Sequence, residues 1–308
     1  MTRWRILADQ HDHETLVARL LTQLRLRALP ARVSPEELTS LPHAPGVYLF
    51  YGANQALLYV GKSIDLRSRV ASHFTNALHD DRELRISQQT ERIEYEQTDG
   101  DFSAQLREIE LIKARQPLFN RKLRRQKNLL TWQWPKHAAT PVLTSQWLHD
   151  ESACYGLFKN RREGLETLKK TATEHRLCPE TLGLEPAHGR CFAYQLGRCA
   201  GACQGIESRE AHEDRARQAM APWRLANWSW HGPILVMEGE QNERGHLFDQ
   251  WCYLGAVDSI GDAYRTRHDR PRFDADIYRL LKRYIGVSAP PGTVNVLPLD
   301  PALMEWRR

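Results

Sequence analysis

The spacing of apolar positions sets out the elements before any chemistry is considered. Residues 14–29, ETLVARLLTQLRLRAL, place Leu16, Leu20 and Leu24 beside Val17 and Leu21 at helical spacing, and Pro30 ends the pattern. An amphipathic opening helix is predicted there. The runs GVYLFYG (46–52) and ALLYVGK (56–62) are short, apolar and aromatic, and only Ala53, Asn54 and Gln55 separate them, which predicts a β-hairpin. A helix capped by Ser63 or Asp65 and running to about Phe74 is expected next. RIEYEQT (92–98) alternates like a strand, and FSAQLREIELIKARQ (102–116) sets Phe102, Leu106, Ile109 and Lys113 on one stripe before Pro117. The first compact unit thus reads β-β-α-β-α.

Beyond it the pattern weakens. Residues 126–150 keep no stable period and read as a linker, and 151–220 are mostly helical around a group of cysteines. From 232 come two strand-like runs, GPILVMEG and FDQWCYLGAVDS, then the helix DADIYRLLKRYI and a last strand-like TVNVLPL. The expected class is α+β, divided into a helical extension (1–40), the β-β-α-β-α unit (41–125), the linker, the cysteine-rich helical unit and a small α+β unit (221–308).

Bulk composition changes little, since 308 residues with 41% hydrophobic content and a formal charge of +5 suit many proteins. Distribution says more. From Lys113 to Lys136 the chain carries Lys113, Arg115, Arg121, Lys122, Arg124, Arg125, Lys127 and Lys136 with no acidic residue. Such a run is either a solvated loop or a surface for nucleic-acid phosphates, which reward it by counterion release. Charges interrupt every apolar run near the N-terminus, so neither a secretory signal nor a membrane span is expected, and a cytoplasmic location follows. Four of the six cysteines fall between 178 and 203 and read as thiols or metal ligands, not as a disulfide framework.

Gly61-Lys62-Ser63 has the ending of a nucleotide-cradling loop. That loop needs a glycine five residues before Gly61, where Ala56 stands inside the strand, so the nucleotide reading fails. The two tyrosine-bearing strands, Gly46-Val47-Tyr48 and Tyr59-Val60-Gly61, together with Lys62, Arg69, Glu108 and Pro117-Leu118-Phe119-Asn120, instead resemble the GIY-YIG nuclease family. Within it they are similar to the N-terminal nuclease domain of UvrC-type excinucleases, over roughly residues 43–125.

That resemblance implies a small nuclease domain with a three-stranded antiparallel sheet and helices, cutting phosphodiesters. In it Tyr59 orients or deprotonates the attacking water with Tyr48 in support, Arg69 holds the scissile phosphate, Glu108 binds Mg2+ or Mn2+, and Asn120 serves structure or phosphate positioning. A tyrosine with its ordinary pKa near ~10 is a poor base, so a nearby cation has to lower it, and Lys62 is the nearest in sequence. Arg69 and His73 stand four apart and share a helix face. At the His73 position UvrC sequences commonly carry tyrosine and other GIY-YIG nucleases histidine, which leaves the general base open between Tyr59 and His73. Glu110 turns to the opposite side of its helix from Glu108, by about 200°. Arg121, Lys122, Arg124, Arg125 and Lys127 are the expected DNA contacts.

Cys178, Cys191, Cys199 and Cys203 follow the form C-x12-C-x7-C-x3-C. With Tyr194, Gln195, Gly197 and Arg198 they resemble the cysteine-rich segment of UvrC, which implies a [4Fe-4S] cluster, with Zn2+ as the alternative; reduced structural thiols remain a third option. Residues 205–308 display neither the UvrB-binding hairpin, the second nuclease nor the helix-hairpin-helix modules of UvrC, so the chain resembles the short, Cho-type branch. The implied activity is a monomeric enzyme of the SOS response making the 3′ incision in damaged double-stranded DNA, on UvrB loaded by UvrA. Its rivals are a free-standing GIY-YIG endonuclease with its own specificity and a non-catalytic metal-cluster DNA-binding protein.

Overall fold

The computed structural model describes residues 30, 32–77, 80–121, 129–135, 138–145, 153–186, 191–239, 244–265, 273–286 and 294–305. The opening helix expected over 14–29 lies outside them, as do Lys122, Arg124, Arg125 and Lys127. The first described helix, α1 (Pro35–Ser40), begins with a capping box between Ser34 and Glu37.

Strands β1 (Gly46–Tyr51), β2 (Leu57–Ser63) and β3 (Arg92–Gln97) form an antiparallel sheet in the order β2-β1-β3. Central β1 is buried along its whole length because both faces are covered. On one face Tyr48 and Phe50 pack with Leu66, Val70 and Phe74 of α2 (Leu66–Asn76) and Ile86 of α3 (Asp81–Gln89). On the other, Val47, Leu49 and Tyr51 meet Leu111 and Ile112 of α4 (Asp101–Arg115). Asp65 is the α2 cap, accepting the Ser68 N–H, and Asp80 caps the α3 that the apolar pattern had not predicted.

The stretch expected as a linker is not one. Residues Leu130–Trp134 (β4) and Val142–Thr144 (β5) join Ala153–Phe158 (β6) in a second antiparallel sheet ordered β5-β4-β6. Its alternation was masked because Thr131 and Gln133 are buried as deeply as Trp132 and Trp134. Helices α5 (Arg161–Glu174) and α7 (Arg209–Met220) supply Leu168 and Met220 to the same core, with the short α6 (Phe192–Gln195) between them in the cysteine region.

The third sheet, β10-β7-β8-β9, comprises β7 (Ile234–Met237), β8 (Gly245–Asp249), β9 (Cys252–Val257) and β10 (Asn295–Pro298). FDQWCYLGAVDS, expected as one run, turns back on itself at Gln250 and Trp251, both at positive φ. Helix α8 (Ile260–Arg265) follows β9, and α9 (Ala275–Ile285) packs against α4. The Phe102, Leu106 and Ile109 stripe of α4 faces this third sheet through Ile234, Val236 and Phe248, so α4 lies between two sheets. Among the described residues no helix is long and apolar enough to cross a membrane.

Candidate active site

The candidate site forms at the edge strand of the first sheet, where helices from opposite faces both reach β2. An open edge invites pairing with other chains, and here the segment after α4 covers it. Leu118 and Phe119 donate their N–H groups to Leu57 and Leu58 at 3.1 and 2.8 Å. Asn120 then completes the cover, accepting the Val60 N–H at 2.9 Å and donating to the Val60 carbonyl at 2.8 Å.

That backbone holds two phenols on one face. Tyr48 is opposite Gly61 in the register and Phe50 opposite Tyr59, which puts the Tyr48 and Tyr59 rings 6.1 Å apart. A Cβ on Gly61 would stand 2.3 Å from the Tyr48 hydroxyl, so only glycine lets that hydroxyl lie across the strand. The Tyr48 hydroxyl meets His73 Nε2 at 2.5 Å, and the other ring nitrogen, Nδ1, bonds the Glu83 carboxylate. Burial, then the neighbouring Tyr59, pushes the Tyr48 phenol well above its ordinary pKa, so Tyr48 keeps its proton and donates to Nε2. Nδ1–H therefore points to Glu83. Burial works against ionisation of Glu83, but His73 and the charges of Arg82 and Arg69 outweigh it and hold the carboxyl below its usual range. His73 is only 2% exposed and spent on these two partners, so it does not face solvent.

Tyr59 is different. Its hydroxyl makes no hydrogen bond to a described residue, and Arg82 stands 5.2 Å over its ring. Its pKa is raised, by burial first and the Glu108 charge second, with Arg82 and Arg69 opposing. The expectation that Lys62 lowers it is not met, because Lys62 points to Asp101 at 2.7 Å instead. Arg69 reaches the Tyr48 hydroxyl, and its charge acts on Tyr59 and Glu83, in keeping with the helix face it shares with His73.

Glu108 and Asn120 line a cleft of about 620 Å³ with Arg82, Arg85, Ile112, Phe119 and Arg121. Burial drives the Glu108 carboxyl up to about 7; Lys62 and Arg69 pull it down, Asp101 pushes it further up, and the Lys62 backbone N–H bonds it. A half-buried carboxylate in an otherwise cationic cleft, short of compensating charge, fits a hard divalent cation whose other positions water and phosphate fill. Glu110 is turned away and paired with Arg107 at 3.6 Å. The structure thus brings Tyr48, Tyr59, Arg69, His73, Glu108 and Asn120 together, sends the Lys62 side chain to Asp101, and places Arg121 on the cleft rim. Sequence reasoning missed Arg82, Glu83 and Arg85, all on α3.

The cysteines form a second site. The sulfurs of Cys178, Cys191 and Cys203 lie within 4.8 Å of one another, and Cys199 Sγ is 3.8 Å from Cys191 Sγ. All are free thiols. Burial opposes ionisation of Cys178, yet bonds from Thr181 and Cys203 outweigh it and lower its thiol. Burial raises Cys199 to about 11 and Cys203 further. Converging thiols of which one is primed for ionisation fit a thiophilic metal, which would ionise the rest.

Comparison with known proteins gives three consecutive family matches: a UvrC-like GIY-YIG domain over residues 44–121, the UvrC/Cho excinuclease middle domain over 129–222 and the excinuclease Cho C-terminal domain over 233–303. The chain is similar to excinuclease Cho of Escherichia coli K12, 38% identical over 93% of this chain and 98% of that one. It is also similar to the UvrABC system protein C of Moorella thermoacetica, 33% identical over 58% of this chain and 30% of that one. A crystal structure of the GIY-YIG N-terminal endonuclease domain of Thermotoga maritima UvrC, bound to magnesium as its catalytic cation, matches at 26% identity and a TM-score of 0.26. The match covers 28% of this chain and 92% of that one.

Proposed function

Because the chain belongs to the UvrC/Cho excinuclease family, whose members are DNA endonucleases of excision repair, we propose that it makes the 3′ incision in damaged double-stranded DNA, acting as a monomer on UvrB loaded by UvrA. The observation that carries this reading is the Tyr48–His73–Glu83 chain ending beside the cationic cleft of Glu108.

Mg2+ or Mn2+ at Glu108 would polarise the scissile phosphate and stabilise the departing oxygen. Tyr59, whose hydroxyl makes no hydrogen bond to a described residue, orients the attacking water. The water's proton passes to Tyr48 as the Tyr48 hydroxyl proton moves to His73 Nε2, and the imidazolium so formed is balanced by Glu83. Arg69 and Arg82, beside the two phenols, meet the growing charge on the phosphorus-bound oxygens, while Arg85 and Arg121 hold the flanking backbone. The base question between Tyr59 and His73 then resolves into a division of labour: Tyr59 positions, and Tyr48 and His73 accept. The four cysteines hold a [4Fe-4S] cluster, Zn2+ being the alternative, and the support is their convergence. Iron and sulfide in anaerobically purified protein test it, and zinc in their place would decide for the alternative.

The activity test is incision of a duplex bearing one defined bulky lesion, with magnesium and with or without UvrA and UvrB. A nick 3′ to the lesion that needs both partners, and that Glu108→Gln abolishes, is expected. Cutting of undamaged DNA without partners would favour the free-standing endonuclease, and magnesium-independent binding without any nick would favour the non-catalytic reading.

A further inference from the structure

The helix that carries Glu108 is not capped by its own domain. Gly100 stands at the N-cap of α4 and offers no side chain. The Phe102 and Ser103 N–H groups donate instead to Glu238 Oε1 and Oε2 at 2.9 and 2.7 Å, across 136 and 135 residues of sequence. Glu238 directly follows β7 of the third sheet and is buried. A Cβ at position 100 would lie 2.3 Å from Glu238 Oε1, so the glycine and the glutamate are shaped for one another. The same end of α4 is held once more from that side, by Tyr284, and once from the nuclease sheet, by Lys62. Tyr284 Oη donates to Asp101 Oδ2 at 2.8 Å, and Asp101 Oδ1 accepts from Lys62 Nζ at 2.7 Å. At the far end Lys113 pairs with Asp274 and, at 2.8 Å, with Asp276.

We propose that the C-terminal domain positions the nuclease centre: Glu238 caps α4 across the domain boundary, and Tyr284 holds Asp101 against Lys62, fixing the helix from which Glu108 reaches its cation. This rests on the reading of Glu108 as the cation's carboxylate. The physical link is short. Glu108 lies two turns from the cap and accepts the Lys62 backbone N–H, so a frayed first turn or a displaced Lys62 moves the carboxylate itself. Glu238 and Tyr284 touch neither DNA nor cation in this account and act through α4.

The test is a reciprocal pair in the full chain. Glu238→Ala removes the cap, and Gly100→Ser supplies one from within the helix but meets Glu238 in the parent protein. Two readouts are taken: amide exchange at Phe102 and Ser103 without metal, and the magnesium dependence of incision. Glu238→Ala is expected to speed exchange at both amides and to raise the magnesium needed for half-maximal rate by about tenfold, the low end of the usual cost of losing a metal ligand's support, with the KM for DNA unchanged. Gly100→Ser alone is impaired, and the double variant returns towards the parent in both readouts. Parent-like exchange and an unmoved magnesium midpoint in Glu238→Ala overturn the proposal, as does a double variant no better than Glu238→Ala. A loss of rate at a constant magnesium midpoint also overturns it, since that is what instability alone produces. Should Glu238→Ala not fold, Tyr284→Phe, which removes one hydroxyl, must move the magnesium midpoint in the same direction. If Glu108→Gln still cuts, the reading of the site fails, whereas the exchange data still decide whether the cap exists.

Discussion

In the mechanism proposed, a histidine with both ring nitrogens engaged acts as a relay, not as a free base. His73 lies between the Tyr48 hydroxyl and the Glu83 carboxylate, and its place in the chemistry follows from which proton each partner retains. Glu83→Gln keeps the shape and the hydrogen bond but withdraws the charge that balances the imidazolium. It should lower kcat by roughly tenfold at unchanged KM, against roughly a hundredfold or more for His73→Ala, read in single-turnover incision. Tyr48, Tyr59, Arg69, His73, Glu108 and Asn120 were legible in the sequence because their types, order and spacing resemble the GIY-YIG pattern. Arg82, Glu83 and Arg85 were not, because α3 buries only Ile86 and Ser87 and so presents no stripe. A signal was present: Asp80 followed three residues later by Glu83 marks a helix start, and Asp80 does accept the Arg82 and Glu83 N–H groups. The Lys62 expectation failed for a related reason, since proximity in sequence said nothing of Asp101, brought alongside by α4.

Among the elements, β2 has the most demanding position, since it is an edge strand that must still hold its tyrosine rigidly. Asn120 meets that demand with two bonds to the Val60 backbone, one residue beyond Tyr59. Asn120→Ala leaves both Val60 groups without that partner in a half-buried place and is expected to cost about 1–3 kcal/mol by denaturant midpoint, with incision falling as well. Asn120→Asp keeps the acceptor, loses the donor and should fall between. Strands whose buried positions are apolar throughout, β1 and β7 among them, were read correctly. β4 was read as linker because its polar residues are buried with its tryptophans, and the β8–β9 turn was hidden because Gln250 and Trp251 adopt positive φ without the glycine or asparagine that usually announces it.

For the whole molecule, the joint between the first and third sheets carries one pH-sensitive group. His246 sits in that joint, its Nε2 3.1 Å from Ser103 Oγ and its Nδ1 3.1 Å from the Tyr253 hydroxyl. Burial pushes its pKa down to about 4, with Asp99 opposing and Arg244 adding to the fall. The folded protein thus resists a proton that the unfolded chain accepts near ~6.5, so His246 contributes its full stability above that pH and loses it as the pH falls towards 4. Relative to His246→Gln, the parent's melting temperature should drop across that window by the equivalent of on the order of 2 kcal/mol, the raised Glu108 carboxyl acting in the opposite sense in both proteins. The apolar stripe of α4 told from sequence that a face is buried but not that a remote sheet buries it. That distance orders events during synthesis. Glu238 is made 136 residues after the amide it caps. At roughly 5–20 residues per second the ribosome needs about 7–27 s to cover that gap. Through that interval every side chain of the proposed cutting site exists, but Glu108 stands on a helix whose first turn is still unsecured, so the centre becomes complete only after Glu238 has been made.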